Sequence, residues 1–323
     1  MANYKPPFTI SAKAISMIAE ISGLIERYAI RLEQQDGLKL RKVNKIKTIQ
    51  SSLAIEGNKL SVGQVSDILD GRKVAAPLRE IQEVRNAIAA YDRFDKLDPF
   101  SIKDLLKAHG IMMSALVDEA GRFRSKGVGV FKGGQALHIA PPANRVPHLM
   151  KELFNWLKHA EDHLLVRSCV FHYEFEFIHP FADGNGRMGR LWQSLILSKL
   201  HPVFQYLPVE TMVHDNQLKY YDAINKSSAL NDSGPFIDFM LGEILRALKQ
   251  HRDRTGAVNG AVNGAVNQVS DYISRMPGCR ANAIAAALEL PLRTVQRYLE
   301  QLKKQGRIEF QGAPRNGGYY PKR

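Results

Sequence analysis

The sequence predicts a mainly α fold: a helical core interrupted by one β-hairpin, then a small α+β domain. Three observations carry this. Apolar residues recur at helical spacing through most of the chain up to residue 250, strand-like alternation within that stretch is confined to residues 128–139, and a tetrapeptide repeat at 256–267 sets off a last, basic segment. At 323 residues, 45% hydrophobic and 24% charged, the composition is that of two or three modest globular domains, which excludes fibrous and disordered classes. Cys169 and Cys279 stand far apart, so a disulfide framework is not expected and a reducing compartment fits. The opening residues, Met1 to Pro7, have no apolar signal core and no window reaches transmembrane length; a cytoplasmic protein without membrane contact is expected. A net charge of +13 favours acidic partners such as nucleotides, nucleic acid or acidic proteins.

Taken in order, Ile15, Ile18, Ile21, Leu24 and Ile25 predict a helix from Ile10 to about Leu32 with one buried face. A second helix runs from about Leu38 to Ile55, with Val43, Ile46, Ile49 and Leu53 as its apolar stripe and Gly57 and Asn58 as stop residues. Glu56 breaks a local rule there, because it puts a negative charge where the helix dipole favours a cation. Such a break points to function. Ile81–Phe94 and Ser101–Leu116 are the next clear helices, with Arg79 and Arg85 on the surface. Val128, Val130 and Phe131, a Lys132-Gly133-Gly134-Gln135 turn, then Leu137 and Ile139 predict a β-hairpin with open edges, a template for adding a strand. A core helix through Leu149, Leu153 and Trp156 follows, from Val146 to Leu157.

The chemistry concentrates between His179 and Arg190. Leu164 to Ile178 is apolar nearly throughout, and Pro180 disfavours helical geometry at His179, so a buried helix ends by presenting that histidine. Leu191, Trp192, Leu195 and Ile196 then continue a second helix that begins near Gly186. The glycine-rich loop between them turns free backbone N–H groups outward at a helix start, which makes an anion site. Arg187 and Arg190, three apart, project from one side of the first turn and suit two or more phosphates. Asp183 would be repelled by phosphate unless a hard cation lay between them, which points to Mg2+. His179 can take a proton from an attacking hydroxyl. A metal-hydrolase reading of His172, Glu176 and His179 is the rival, weakened by the lack of a His-Glu-x-x-His pair or cysteine ligands.

The stretch His179-Pro180-Phe181-Ala182-Asp183-Gly184-Asn185-Gly186-Arg187-Met188-Gly189-Arg190 resembles the motif of Fic proteins at every defined position. Most Fic proteins transfer AMP from ATP to a hydroxyl of a target protein. The resemblance implies that His179 is the base, that Asp183 holds Mg2+, and that residues Gly184 to Arg190 bind the nucleotide. Within that run Gly184, Asn185 and Gly186 would serve the α-phosphate, with Arg187 and Arg190 on the outer phosphates and Met188 and Gly189 between them; Phe181 would be a core anchor. Ser52-Leu53-Ala54-Ile55-Glu56-Gly57 is similar to the family's inhibitory motif, which would set Ser52 and Glu56 against Arg190 and block the γ-phosphate position. The hairpin near 126–140 would be the flap that aligns the target segment, and Tyr220 and Tyr221, on a helix from Gln217 to Ser227, would lie near the adenosine.

Three perfect Gly-Ala-Val-Asn units from Gly256 to Asn267 are too short for a solenoid and suit a linker, helical or not. Beyond them come helices at 268–275, 282–290 and 293–305, then strands at 307–311 and near Tyr319. This order resembles a winged helix-turn-helix domain. Residues 268–323 carry ten basic and four acidic residues, and Arg293, Thr294, Gln296 and Arg297 start the recognition helix with Arg315 on the wing, a plausible DNA footprint. A protein contact such as a homodimer is the alternative.

The expected organisation is an N-terminal helical region with the inhibitory helix (1–98), a Fic-type core (99–250), a linker (251–267) and the winged helix (268–323). The expected function is autoinhibited, Mg2+-dependent transfer of AMP from ATP to a protein hydroxyl. Phosphotransfer, AMP removal, and an ATP-sensing DNA-binding regulator stay open as alternatives.

Overall fold

The computed structural model describes residues 4–34, 37–132, 135–207, 209–288, 290–313 and 317–322. The chain divides into two compact units, Met1–Lys249 and Gln250–Arg323. The first holds α1 (Ala12–Gln34), α2 (Gly37–Ile55), α3 (Val62–Leu69), α4 (Leu78–Tyr91), α5 (Ile102–Met112), the hairpin β1 (Gly129–Lys132) and β2 (Gln135–Ile139), then α6 (Val146–His159), α7 (Leu164–Ile178), α8 (Asn185–Ser198), α9 (Val209–Asp215) and α10 (Gln217–Leu230). Helix α11 (Gly234–Arg275) begins in it and continues as backbone helix through the Gly-Ala-Val-Asn repeats. No helix is long and apolar enough to cross a membrane among the described residues.

The core is built on α7 and α8, which pack on each other. Both are buried nearly all round: Leu165, Cys169, Phe171, Phe175 and Ile178 on α7, and Met188, Leu191, Trp192 and Leu195 on α8, are all enclosed. A helix without a polar face belongs at the centre of a layered bundle. Around this pair lie α6 on α7 and α5 on α8, while α2 rests on α8, α9, α3 and α4. Capping fixes the joints. Ser61 and Gln64 form a reciprocal capping box on α3, and Ser101 caps α5 through the Asp104 N–H. Near the start of the chain, Ser11 Oγ donates to Asp238 at 2.7 Å and Phe8 meets Trp156 edge-on.

Each expected stripe loses its first member, while Ile21, Leu24 and Ile25 on α1 and Ile46, Ile49 and Leu53 on α2 are buried as predicted. Ile15 is 61% exposed and Val43 39% exposed, although their spacing predicts burial. On α1 the buried face runs through Ala14, Met17, Ile21, Leu24, Ile25 and Tyr28. On α2 it includes polar residues that periodicity ignores: Asn44, Thr48, Ser51 and Ser52. They are admitted because they are bonded, Asn44 Nδ2 to the Tyr206 carbonyl at 2.8 Å and Ser51 Oγ to Thr211 Oγ1 at 3.1 Å.

The hairpin is antiparallel, pairing Gly129 with Ile139 and Lys132 with Gln135, with a bulge between Val130 and Phe131. The Gly133-Gly134 turn predicted from sequence lies outside the described residues.

The second unit adds α12 (Ala281–Ala287), α13 (Leu292–Lys304) and the antiparallel pair β3 (Ile308–Gln311) and β4 (Gly318–Pro321) to the end of α11. Its core is Val269, Ile273, Ile284, Val295, Leu299, Leu302 and Ile308. Arg315 lies outside the described residues.

The face assignment on α2 has a direct check. Ile49→Ala should lower stability in urea denaturation by about 2–5 kcal/mol, whereas Val43→Ala should stay within about 0.5 kcal/mol. Equal costs at the two positions would put Val43 back in the buried stripe with Ile49.

Candidate functional site

His179 follows the last turn of α7 in the left-handed region, φ 51° and ψ 61°, with its N–H on the Phe175 carbonyl at 2.9 Å. Such a conformation is uncommon for a non-glycine residue and needs its surroundings to hold it. Pro180 bars the helical alternative from one side. From the other, Arg124 grips the His179 carbonyl through Nε at 2.8 Å, and its own N–H donates to the Pro180 carbonyl at 3.0 Å. His179 Nδ1 lies 3.3 Å from the Glu176 carbonyl. A carbonyl only accepts, so that contact puts the ring proton on Nδ1.

The loop that follows is closed from within. Asn185 exchanges two hydrogen bonds with the Phe181 backbone, both at 2.9 Å, and is 2% exposed. Its amide is therefore committed to the loop, and what it offers the cleft is backbone. Phe181 is fully enclosed and stacks on His109 with centroids 3.7 Å apart. His109 accepts the Gly121 N–H on Nδ1 at 2.9 Å, so its Nε2–H donates to the Asp183 carbonyl at 3.0 Å. Burial lowers its pKa to about 4, which keeps this tautomer neutral. Gly184 has φ +85°, and a Cβ there would sit 2.6 Å from Met113 Sδ.

At the start of α8 an anion is already present: the Glu56 carboxylate. A Cβ on Gly186 would lie 2.4 Å from Glu56 Oε1, so only glycine admits the carboxylate to this helix start. Arg190, 3% exposed, donates from Nη2 to Glu56 Oε1 at 2.7 Å and to the Ser52 carbonyl at 2.9 Å, and from Nε to Ser52 Oγ at 3.2 Å. Burial opposes its charge, but Glu56 holds its pKa above the ordinary value. The sequence-predicted trio Ser52, Glu56 and Arg190 is thus one hydrogen-bonded cluster.

Arg187 is 4% exposed and reaches Asp183 Oδ1 from Nη2 at 3.2 Å, while its buried Nε has no partner among the described residues. The Asp183 side chain is 43% exposed; Oδ1 also accepts the Gly184 N–H at 2.6 Å, and Arg79, at the surface as expected, comes within 3.7 Å of Oδ2. No group of three or more His, Cys, Asp or Glu fit to hold a metal occurs among the described residues. A single exposed carboxylate beside two arginines suits Mg2+ only where phosphates and water complete the shell, which is how Mg2+ binds nucleotides.

At Met188 and Gly189 the side-chain positions turn away from the cleft. The Met188 side chain is fully in the core and its N–H is bonded to the Gly184 carbonyl at 3.0 Å. Gly189 faces α7, where a Cβ would lie 2.8 Å from Glu176 Oε1 and 3.1 Å from His172 Cδ2. It contributes the absence of a side chain.

From this end a cleft runs between α7 and α10, lined by Glu56, Glu176, His179, Gly186 and Arg190, then by Tyr173, Phe177, Tyr221, Ile224, Asn225 and Ser228. The two tyrosines separate: Tyr220 is 2% exposed, Tyr221 39%. Tyr220 donates to His172 Nε2 at 3.1 Å, because Nδ1 of that ring donates to Gln193 Oε1 at 2.7 Å. Both nitrogens are occupied and burial lowers the His172 pKa to about 4, so the metal-hydrolase arrangement is not formed. Sequence reasoning missed His109, Arg124 and Gln193, since none sits in a motif and each acts on a distant segment.

A family profile described as Fic/DOC family matches residues 99–197. The crystal structure of a Fic family protein from Desulfovibrio desulfuricans G20 aligns with a TM-score of 0.77 and 42% identity, covering 99% of this chain and 98% of that one. A helical core presenting this His-Pro turn beside this glycine-started helix defines a Fic-type protein. The chain belongs to the Fic family. It is also 34% identical over 208 residues to protein adenylyltransferase fic-1 of Caenorhabditis elegans, and 33% over 208 residues to protein adenylyltransferase Fic of Culex quinquefasciatus. The matches cover 59% and 60% of this chain, and the chain spans 38% and 39% of those proteins.

The cleft carries a pH signature. Burial, with a smaller contribution from Glu56, raises the Glu176 pKa to about 8, although Arg190 works the other way. Between the ordinary carboxylate value and pH 8 the unfolded chain releases a proton that the folded one keeps, so stability falls as pH rises through this window and levels off above it. Glu176→Gln should thus be near neutral at pH 5 and stabilising by up to a few kcal/mol at pH 9, measured by urea denaturation at both values. An equal effect at both would place the Glu176 carboxyl in water.

Proposed function

We infer that this chain is an autoinhibited protein adenylyltransferase that moves AMP from ATP to a Ser, Thr or Tyr hydroxyl of a target protein. The observation that carries the reading is the helix start of α8, where Gly186, Arg187 and Arg190 form an anion cradle beside His179. The curated relatives named as protein adenylyltransferases support the same reaction. In it His179 Nε2 takes the proton of the target hydroxyl as the oxygen attacks the α-phosphorus. The bond from that phosphorus to the bridging oxygen breaks, pyrophosphate leaves, and the target keeps a phosphodiester to AMP. Arg187, with its unpartnered Nε, and Arg190 stabilise the charge gathering on the leaving phosphates. Asp183 would hold Mg2+, which supplies further charge neutralisation on the phosphates. Tyr221 and the apolar cleft wall would receive the adenosine, with Tyr220 as its support, and the hairpin near 126–140 would align the target segment by strand addition.

Autoinhibition follows from competition for one guanidinium fork. With Arg190 Nη2 on Glu56 at 2.7 Å and the carboxylate against Gly186, an outer phosphate must be displaced, and the α-phosphate with it. Glu56→Gly and Glu56→Gln should each raise transfer of label from α-labelled ATP to protein by at least about tenfold, more than they raise nucleotide affinity. His179→Ala should abolish that transfer with ATP binding retained. Wild-type transfer in both Glu56 variants would return Glu56 to an ordinary helix-end residue, and label arriving from the γ-phosphate would support phosphotransfer instead.

A DNA contact by residues 268–323, read as a winged helix, is supported by α13. Arg293, Gln296 and Arg297 are exposed on the face opposite buried Val295, Leu299 and Leu302. Duplex binding at low salt should weaken steeply with added salt and on Arg293→Ala or Arg297→Ala. No retardation at low salt would favour a protein contact such as a homodimer.

A further inference from the structure

Arg124 is 3% exposed, and every hydrogen bond its side chain makes among the described residues goes to a backbone carbonyl. Two of those carbonyls end α7: Nε reaches His179 at 2.8 Å and Nη2 reaches Ile178 at 3.3 Å. The other two stand at the roots of the hairpin. Nη1 donates to Lys126, just before β1, at 2.9 Å, and Nη2 to Pro141, just after β2, at 2.5 Å.

This arrangement answers two physical problems at once. The last carbonyls of a helix have no amide partners within it and carry its negative end, so they both need donors and compensate a buried cation. His179 meanwhile sits at φ 51°, where a non-glycine residue stays only if its surroundings over-determine it. A planar fork with five donors can satisfy carbonyls on both sides of itself; a lysine, a point charge on a flexible stem, cannot span them.

We propose that Arg124 is a positioning residue that fixes the His179 imidazole and the two roots of the hairpin in one frame, so that the base and a target segment aligned on the hairpin keep a set distance. The proposal rests on reading His179 as the base and the hairpin as the target's docking strand. It gives the guanidinium a role in the transfer step and none in nucleotide binding, since no contact of Arg124 involves the cradle at the start of α8.

The test uses the full chain carrying Glu56→Gly, into which Arg124→Lys and Arg124→Ala are introduced. Transfer from α-labelled ATP should fall about 10²-fold in kcat, with KM for ATP changed less than about twofold. Guanidinium ion at millimolar concentration should restore part of the rate of Arg124→Ala, and ammonium at equal ionic strength should not. Hydrogen exchange of the amides at 129–139 should accelerate by at least about tenfold while that of α8 is unchanged. A rate within threefold of the parent overturns the proposal, as does a parallel loss of ATP binding and of protection throughout Met1–Lys249. If Glu56→Gly alone transfers no label, it is the adenylyltransferase reading that fails. The positioning role is then judged by hairpin exchange and by the NMR shift of the His179 Cε1 proton: both altered in Arg124→Ala upholds it, either one unchanged overturns it.

Discussion

A buried guanidinium must always have a partner, and Arg190 is the one around which this structure is arranged. Removing one member of a buried charge pair costs about 3–5 kcal/mol, so Arg190 needs an anion beside it, either a carboxylate from the chain or an anion from a ligand. Ser52 and Glu56 at the end of α2 supply the first through three hydrogen bonds. The glycine at position 186 lets the same carboxylate reach the helix start. Glu56 compensates the Arg190 charge, and any ligand that takes Arg190 from it must compensate that charge equally well.

Near that pair several buried ionisable groups are held neutral. Glu176, Glu210 and the imidazoles of His172 and His109 are all driven toward their neutral forms, in each case chiefly by burial. Neutral neighbours leave the field at the α8 helix start to Arg187, Arg190 and the helix dipole. Glu210 shows the same economy at longer range: Ser194 Oγ donates to it at 3.1 Å and Tyr91 at 3.3 Å, so it is held by hydroxyls without forming an ion pair among the described residues.

Much of this was legible in the sequence because the motif is contiguous. His179, Asp183, Gly186, Arg187 and Arg190 lie within twelve residues, and helix spacing brings them to one end of α7 and α8. Glu56 was legible for a different reason, as a charge of the wrong sign at a helix end. What could not be read is what depends on distant partners. His109 acts on Asp183 across 74 positions and Arg124 on His179 across 55, and neither stands in a local pattern. The apolar stripe of α2 was legible except at Val43, but its polar members were not, since Asn44, Ser51 and Ser52 are buried by virtue of bonds to residues more than a hundred positions away. Motif membership also says nothing of side-chain direction: Met188 faces the core and Gly189 faces α7.

The reciprocal pair between Asn185 and Phe181 has a bearing on how the protein ages. Asn185-Gly186 is the dipeptide in which an asparagine most readily loses ammonia, by attack of the following backbone nitrogen on its side-chain carbon. Here both ends of the amide are pinned to the Phe181 backbone, and the attacking nitrogen belongs to the first turn of α8. Hydrolysis would put a carboxylate oxygen against the Phe181 carbonyl and add a negative charge at the start of α8. The folded loop thus protects the Asn185 amide chemically by the same two bonds that close it.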